Sequence, residues 1–468
     1  MPSSNVPPLA GIASVPDAMK PGLSVEQCVA RLKRYHYAFK RLHQIFTARI
    51  TAEPIYELKT AFSLHAWLCA EHVTALRTRV AEMREPPLGL DVVPDENLEI
   101  FFDEILAAPT TEALIVGLYD VALPALRHAL KRHIEDTNPL TDHPSVRVCK
   151  FAMIECDEMI EFGRRAIDSL GATAKPQAAE QASDLRDVLS AAGGISGVER
   201  KSDRPVQRKR SVKPYEYDPV PRRDERFIDP YNRGVNAEAF LYDETMPENA
   251  KVLMMFLKRL REIDVPEMMA SIIAQTPGKP WGYYRDMSRQ LWDEARHAMM
   301  GQVGFESLGI DWTTIPITWT WSLNLNTQLK PIERHAVLYF IEQGLMPKTG
   351  KRYEWEVGVA SGNPLAALFQ DYDWADEVLH SAIGRNWYVK DFDNPKEATR
   401  YGDECWSKIS SDYQQWLDRG VTRHENWWPR IYQQACGRWG ITPDDRVMSW
   451  HVNYATTRAD LKEISASA

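Results

Sequence analysis

The sequence predicts an all-α protein, and three observations carry that reading. Apolar residues recur at helical spacing through most of the chain. Only one stretch, Asp311–Asn324, alternates like a strand, with Thr and Ile placed among Trp319 and Trp321. The pattern Asp-Glu-x-x-His occurs twice, at Asp293-Glu294-Ala295-Arg296-His297 and at Asp376-Glu377-Val378-Leu379-His380, each time inside a helical pattern. At 468 residues the chain exceeds one ordinary domain, and two are expected.

Residues 1–23 carry Pro and Ser without apolar periodicity and read as a loose N-terminal segment. Ser24 is placed to cap a helix running to Ile50, with Glu26 shortly after it. A second long helix is expected from Ile55 to Arg84, ended by Glu85-Pro86-Pro87. Further helices near 97–107, 111–133 and 145–170 complete an N-terminal helical domain over 24–170. Residues 171–249 change character. Ala, Gln, Ser and Gly come first and read as a flexible linker. The basic run Arg208-Lys209-Arg210 reads as a solvated part of that linker rather than a nucleic-acid contact. The Pro- and Tyr-rich stretch after it is expected to lie as an extended arm over a C-terminal helical bundle. Helical patterns resume over 250–275, 281–308, 331–344 and 365–387, placing that bundle at 250–390. Patterns at 398–419 and 424–440 form a C-terminal extension, 391–468. Gly278, Gly309, Gly344 and Gly362 punctuate the helices as stop signals, and Pro331 suits a first turn. Residues 311–324 are expected to be an ordered crossover.

Composition narrows the function classes. The chain is 44 % apolar and 26 % charged, as soluble globular proteins are. Its net charge of −9 argues against a general nucleic-acid-binding surface. No uninterrupted apolar run approaches the ~20 residues of a membrane span, and the first residues lack a secretory pattern. Cys28, Cys69, Cys149, Cys156, Cys405 and Cys436 are scattered, which fits free thiols in a reducing cytoplasm better than disulfides or a zinc site. A cytoplasmic protein without a membrane partner is expected.

The two Asp-Glu-x-x-His strings carry the chemistry. A Glu and a His three residues apart share one helix face and can reach one metal ion. Roughly one Glu-x-x-His is expected by chance in such a chain. Here only two of the 12 His have Glu three places earlier, and both pairs share the preceding Asp. Each pair also has a candidate partner Glu on the helix before it. Glu342 precedes Glu377 by 35 residues, and Glu333 lies half a turn off its face. Upstream of Glu294 stand Glu262, 32 residues earlier, and Glu267, 27 earlier. They lie about 140° apart on a helix, so one ligand face does not hold both. The matching intervals favour Glu262, while Pro266 disturbs its carbonyl and keeps Glu267 open as the alternative.

The order Glu, Glu-x-x-His, Glu, Glu-x-x-His resembles the ferritin-like di-iron carboxylate superfamily, over about residues 250–390. That resemblance implies a ferritin-like four-helix bundle with additional helices, preceded by a second helical domain. It implies two iron ions, or an iron–manganese pair, held by Glu262, Glu294, His297, Glu342, Glu377 and His380. Glu294 and Glu377 would bridge, and Asp293 and Asp376 would each receive the second ring N–H of the His on the opposite helix. The reaction class it implies is a di-iron oxidoreductase, an oxidase or oxygenase using O2 on a small organic substrate, with Met268, Met269, Met299 and Met300 near its pocket. No nicotinamide or flavin fingerprint is visible, so a separate electron donor or reductase is expected. The alternatives are a ferroxidase or iron-handling protein and a non-enzymatic scaffold, with a tRNA-modifying role left open by the basic run. Departures from relatives are Gly301, one turn past His297 where a radical Tyr would stand, and the absence of Thr after Glu342. Tyr283, Tyr284 and Tyr339 are candidates for electron transfer or for plain core packing.

The N-terminal domain echoes the motif as Asp157-Glu158-Met159-Ile160-Glu161, with Glu where His should stand. It reads either as a degenerate ferritin-like bundle that has lost its metal or as unrelated helices. Its expected role is packing, homodimer formation or substrate capping.

Overall fold

The computed structural model describes residues 6–83, 88–346 and 348–455, and the expected Glu85-Pro86-Pro87 stop lies outside them. The described residues are helical with no strand. By internal contacts the chain forms two units: Met1–Phe46 with His65–Glu216, and Thr47–Leu64 with Tyr217–Ala468.

The first unit holds most of α1 (Val25–Arg49) and α2 (Tyr56–Met83), then α3 (Glu96–Leu106), α4 (Thr111–Ile115), α5 (Leu123–Asp136), α6 (His143–Ser169) and α7 (Pro176–Ala191). Ser24 caps α1 as expected, but reciprocally with Gln27: the Gln27 N–H donates to Ser24 Oγ at 3.2 Å, and the Ser24 N–H to Gln27 Oε1 at 2.9 Å. Such a cap stabilises by about 1 kcal/mol. A π-helical stretch, Val116–Ala122, joins α4 to α5. The combined segment Thr111–Asp136 is apolar and long enough to cross a membrane, yet 72 % of its most apolar window is buried within the protein. It is a core helix, packed on α6.

Two expectations fail in this unit. Residues 176–191 of the expected linker are helical: Ala178, Ala182, Leu185 and Val188 form a buried stripe at 3.6-residue spacing, and α7 packs on α3. Ala carries this stripe, so its apolar signal is weak. The basic run is likewise not a solvated linker. Buried Glu104 accepts from the Lys209, Arg210 and Ser211 backbone N–H groups, while Arg208 pairs with Asp103, and Lys209 and Arg210 with Asp184. The residues of the acidic echo, Asp157, Glu158 and Glu161, are exposed, with Asp157 and Glu161 paired to Arg127 and Arg164.

The second unit contains α8 (Ala237–Leu241), α9 (Glu248–Arg261), α10 (Asp264–Ala274), α11 (Trp281–Ser307), α12 (Thr320–Gln328), α13 (Pro331–Gly344), α14 (Tyr353–Ala360), α15 (Pro364–Trp387), α16 (Pro395–Ser407), α17 (Tyr413–Asp418) and α18 (Trp428–Trp439). α9 and α10 pack on α11, α11 on α15, α15 on α13, and α13 on α10, which closes a ring of neighbours around one interior. The arm preceding α8 adds Phe227 and Val235 to the core of Leu253, Phe256, Leu257, Phe305 and Trp428. Gly301 explains how closely α9 and α11 approach: a Cβ there would lie 2.1 Å from the Leu260 nitrogen.

Here too the expectations need correction. The single helix over 250–275 is two, because Pro266 has no N–H to give the Glu262 carbonyl, and Val265 N–H closes a tighter turn onto it at 3.0 Å. The strand-like segment becomes a short turn at Trp312–Thr314 and then α12. The helix α14 was not expected. Within the expected extension, α16 packs on α13 in the same unit.

Candidate metal centre

The six residues singled out as ligands converge in the interior of the second unit. α11 presents Glu294 and His297 one turn apart, and α15 presents Glu377 and His380. Glu342 reaches in from the last turn of α13. Glu262 is the C-cap of α9, and the break before Pro266 frees it from a regular helical register. His297, His380, Glu294, Glu342 and Glu377 are all at most 4 % exposed.

Glu294 stands between the two His. Its Oε1 lies 3.2 Å from His380 Nδ1 and its Oε2 3.5 Å from His297 Nδ1. Around His380 gather Glu342 at 3.9 Å and Glu377 Oε2 at 3.6 Å; around His297 Nδ1 stands Glu262 Oε2 at 3.5 Å. The two rings are 6.0 Å apart between centroids. Both Nδ1 atoms, together with Glu262 Oε2 and Glu377 Oε2, are buried without a hydrogen-bond partner. Buried polar atoms left in that state cost stability. Carboxylate oxygens and imidazole nitrogens pointing into one small volume form a donor set suited to divalent cations.

The outer faces of the His are held crosswise. His297 Nε2 meets Asp376 Oδ2 at 3.1 Å, and His380 Nε2 meets Asp293 Oδ2 at 3.4 Å. Arg296 pairs with both Asp293 and Asp376, and Arg289 Nε donates to Asp293 at 2.9 Å. The two Asp therefore orient each ring with Nδ1 inward.

Electrostatics follow from packing many acids into one place. Burial alone would raise the Asp293 pKa, yet the His380 contact and the two Arg outweigh it and hold it at about 2. Burial likewise opposes charge on His297, but Asp376, Glu262 and Glu294 lift its pKa to about 10. Glu342 is pushed well above the usual carboxylate range by burial and by the charges of Glu377 and Glu294. Burial works the same way on Glu377, but Lys351 overrides it and holds Glu377 low.

Glu267, the alternative to Glu262, is elsewhere. It is fully buried in an ion cluster with Lys59 at 2.9 Å, Arg223 at 3.1 Å and the Ser322 hydroxyl at 2.7 Å. Tyr339 and Tyr283 are core residues: Tyr339 packs on Tyr388 at 5.4 Å and Tyr283 on Trp387 at 5.7 Å. Met268 and Met269 are fully buried and Met299 borders the core.

Three residues at the centre were not expected. Asp373 is buried, with Oδ1 3.5 Å from His297 Nδ1. It stands one turn before Glu377 on α15, so helix spacing alone points to it. Lys351 Nζ lies 2.7 Å from Asp373 Oδ2 and 3.0 Å from Glu377 Oε1. Arg259 pairs with Glu262 at 2.8 Å and with Asp373. Lys351 sits in an irregular connection where no periodicity operates, and Arg259 lies in the last turn of α9.

No protein-family model matches the chain, and comparisons with curated proteins and with solved structures return no match.

Proposed function

We propose that the second unit is a ferritin-like bundle holding a dinuclear iron or iron–manganese centre, and that the protein is a di-iron oxidase or oxygenase. The observation that carries this reading is the inward pair of His Nδ1 atoms without a hydrogen-bond partner, facing the carboxylates of Glu262, Glu294, Glu342 and Glu377. Glu294, Glu342, Glu377 and His380 would hold one ion. Glu262, Glu294 and His297 would hold the other, with Asp373 and Glu377 beside them. Fe(II) or Mn(II) suits such oxygen and nitrogen donors. When bound, a redox-active pair of this kind supplies electrons and open coordination for activating O2.

The chain's own groups prepare that chemistry. Asp376 and Asp293 fix each ring with Nε2–H outward and so leave Nδ1 as donor. Glu294, with one oxygen near each His, is the bridging candidate. Five of the six side chains are buried and that of Glu262 is only 15 % exposed. Keeping bulk water out strengthens every charge interaction among them. An electron donor and a small organic substrate belong to the same proposal.

The test is anaerobic Fe(II) loading followed by exposure to O2. About two iron per chain and O2 uptake are expected, both abolished in Glu294→Ala and His380→Ala variants that remain folded. Wild-type protein that binds no iron would rule the reading out.

A further inference from the structure

The dinuclear reading leaves one buried charge without a role. Lys351 is fully buried inside the cluster, and its ammonium contacts both Asp373 oxygens, at 2.8 and 2.7 Å, and Glu377 Oε1 at 3.0 Å. Glu377 is thereby divided: Oε2 faces His380 at 3.6 Å, while Oε1 is held by Lys351. On the same side Arg259 takes Glu262 Oε1 at 2.8 Å and also pairs with Asp373. The His380 side differs. Among the described residues neither Glu342 nor Glu294 is paired with Lys or Arg, and Glu342 Oε1 receives only the neutral Gln290 amide, at 3.0 Å.

Resting on the dinuclear reading, we propose that Lys351, backed by Arg259, makes the two metal positions unequal. The position built from Glu342, Glu377, His380 and Glu294 fills first and tightly. The position built from Glu262, His297, Asp373 and Glu294 fills second and weakly while Lys351 holds Glu377 Oε1 and Asp373. The reason is electrostatic. A divalent cation at the His297 position would sit beside an ammonium and a guanidinium in a low-dielectric interior, where like charges repel far more than in water. It would also compete with both cations for Asp373 Oδ1, the oxygen that faces His297. At the His380 position the incoming charge meets Glu294 and Glu342, neither of which is paired with Lys or Arg among the described residues, and only Glu377 is shared with Lys351. Lys351 is therefore a positioning residue that orders loading and sets how readily the centre becomes dinuclear.

Equilibrium titration of the full chain with Mn(II), read by calorimetry and by loss of the free-ion paramagnetic signal, tests this without any turnover. Wild-type protein is expected to bind in two steps at least about tenfold apart in affinity. Lys351→Gln should tighten the second step at least about tenfold, and Lys351→Arg should keep the separation. His380→Ala should remove the tight step, and His297→Ala only the weak one. Two equal steps in the wild type, an unchanged second step in Lys351→Gln, or loss of the tight step in His297→Ala would each overturn the proposal while leaving the dinuclear reading intact. No binding in either step would overturn both. Should Lys351→Gln fail to fold, the Lys351→Arg and histidine variants still decide the matter.

Discussion

At the scale of the residue, the exchange between Asp and His across the two helices does the most to define the centre. Each Asp precedes the candidate ligand Glu of its own helix yet contacts the His of the other, so α11 and α15 orient one another's imidazoles. Asp376→Asn is expected to lower Mn(II) or Fe(II) affinity about 10–100-fold with the fold intact, as loss of such a partner does elsewhere; titration of the variant checks it. The two glutamates flanking the break behave differently. Glu262→Gln should weaken metal binding with little effect on stability. Glu267→Ala should leave Lys59 and Arg223 buried without their partner, at a cost of about 3–5 kcal/mol, with the metal ligands untouched. Denaturant melts of the two variants separate the cases. The six ligand candidates were legible because Glu and His three apart, repeated with matching upstream Glu, is a helical-face pattern. Asp373 obeys the same spacing rule, but an acid one turn before a Glu is common on solvated helices and does not stand out. Lys351 was not legible, since an irregular connection has no period to read.

Among the elements, the α9–α10 break and the α9–α11 contact set where Glu262 stands. Gly301 lets the α11 backbone reach Leu260, close to that break in the chain. Gly301→Ala is expected to force the helices apart, destabilising by about 1–3 kcal/mol or more and weakening the metal position near Glu262. A thermal melt combined with metal stoichiometry reads both effects. Most long helices were legible from apolar spacing, caps and prolines, and α13 runs from Pro331 to Gly344 as expected. Two of the helices that apolar spacing misses share a cause: half of what α7 buries is Ala, and α12 buries Thr, Ser and Asn, so neither writes a strong apolar stripe. Tertiary packing decides such segments, not local pattern.

For the molecule as a whole, the two units should answer acid differently. In the first unit burial depresses the pKa of His36 to about 3, of His65 to about 3 and of His43 to about 4, below the unfolded value near 6.5. The unfolded chain therefore binds more protons between those limits. The stabilisation from keeping these rings neutral is complete above pH 6.5 and is lost as pH falls towards 4, on the order of 1–3 kcal/mol per ring. Denaturant midpoints followed between pH 7.5 and 4 should fall steadily for the first unit. In the second unit, a cation bound as proposed would compete with protons for His297 and Glu342, so its affinity is expected to weaken over the same range, as titrations at pH 7.5 and 6 would read.

A pair of metal ions held across Glu294, as proposed, is tested by X-ray absorption at the metal edge of anaerobically loaded protein. Oxygen and nitrogen neighbours with a metal–metal vector at about 3.5–4 Å are expected, as in other two-metal sites, with the vector lost in Glu294→Ala. A spectrum without that vector at two metal ions per chain, or one unchanged in Glu294→Ala, would contradict the claim.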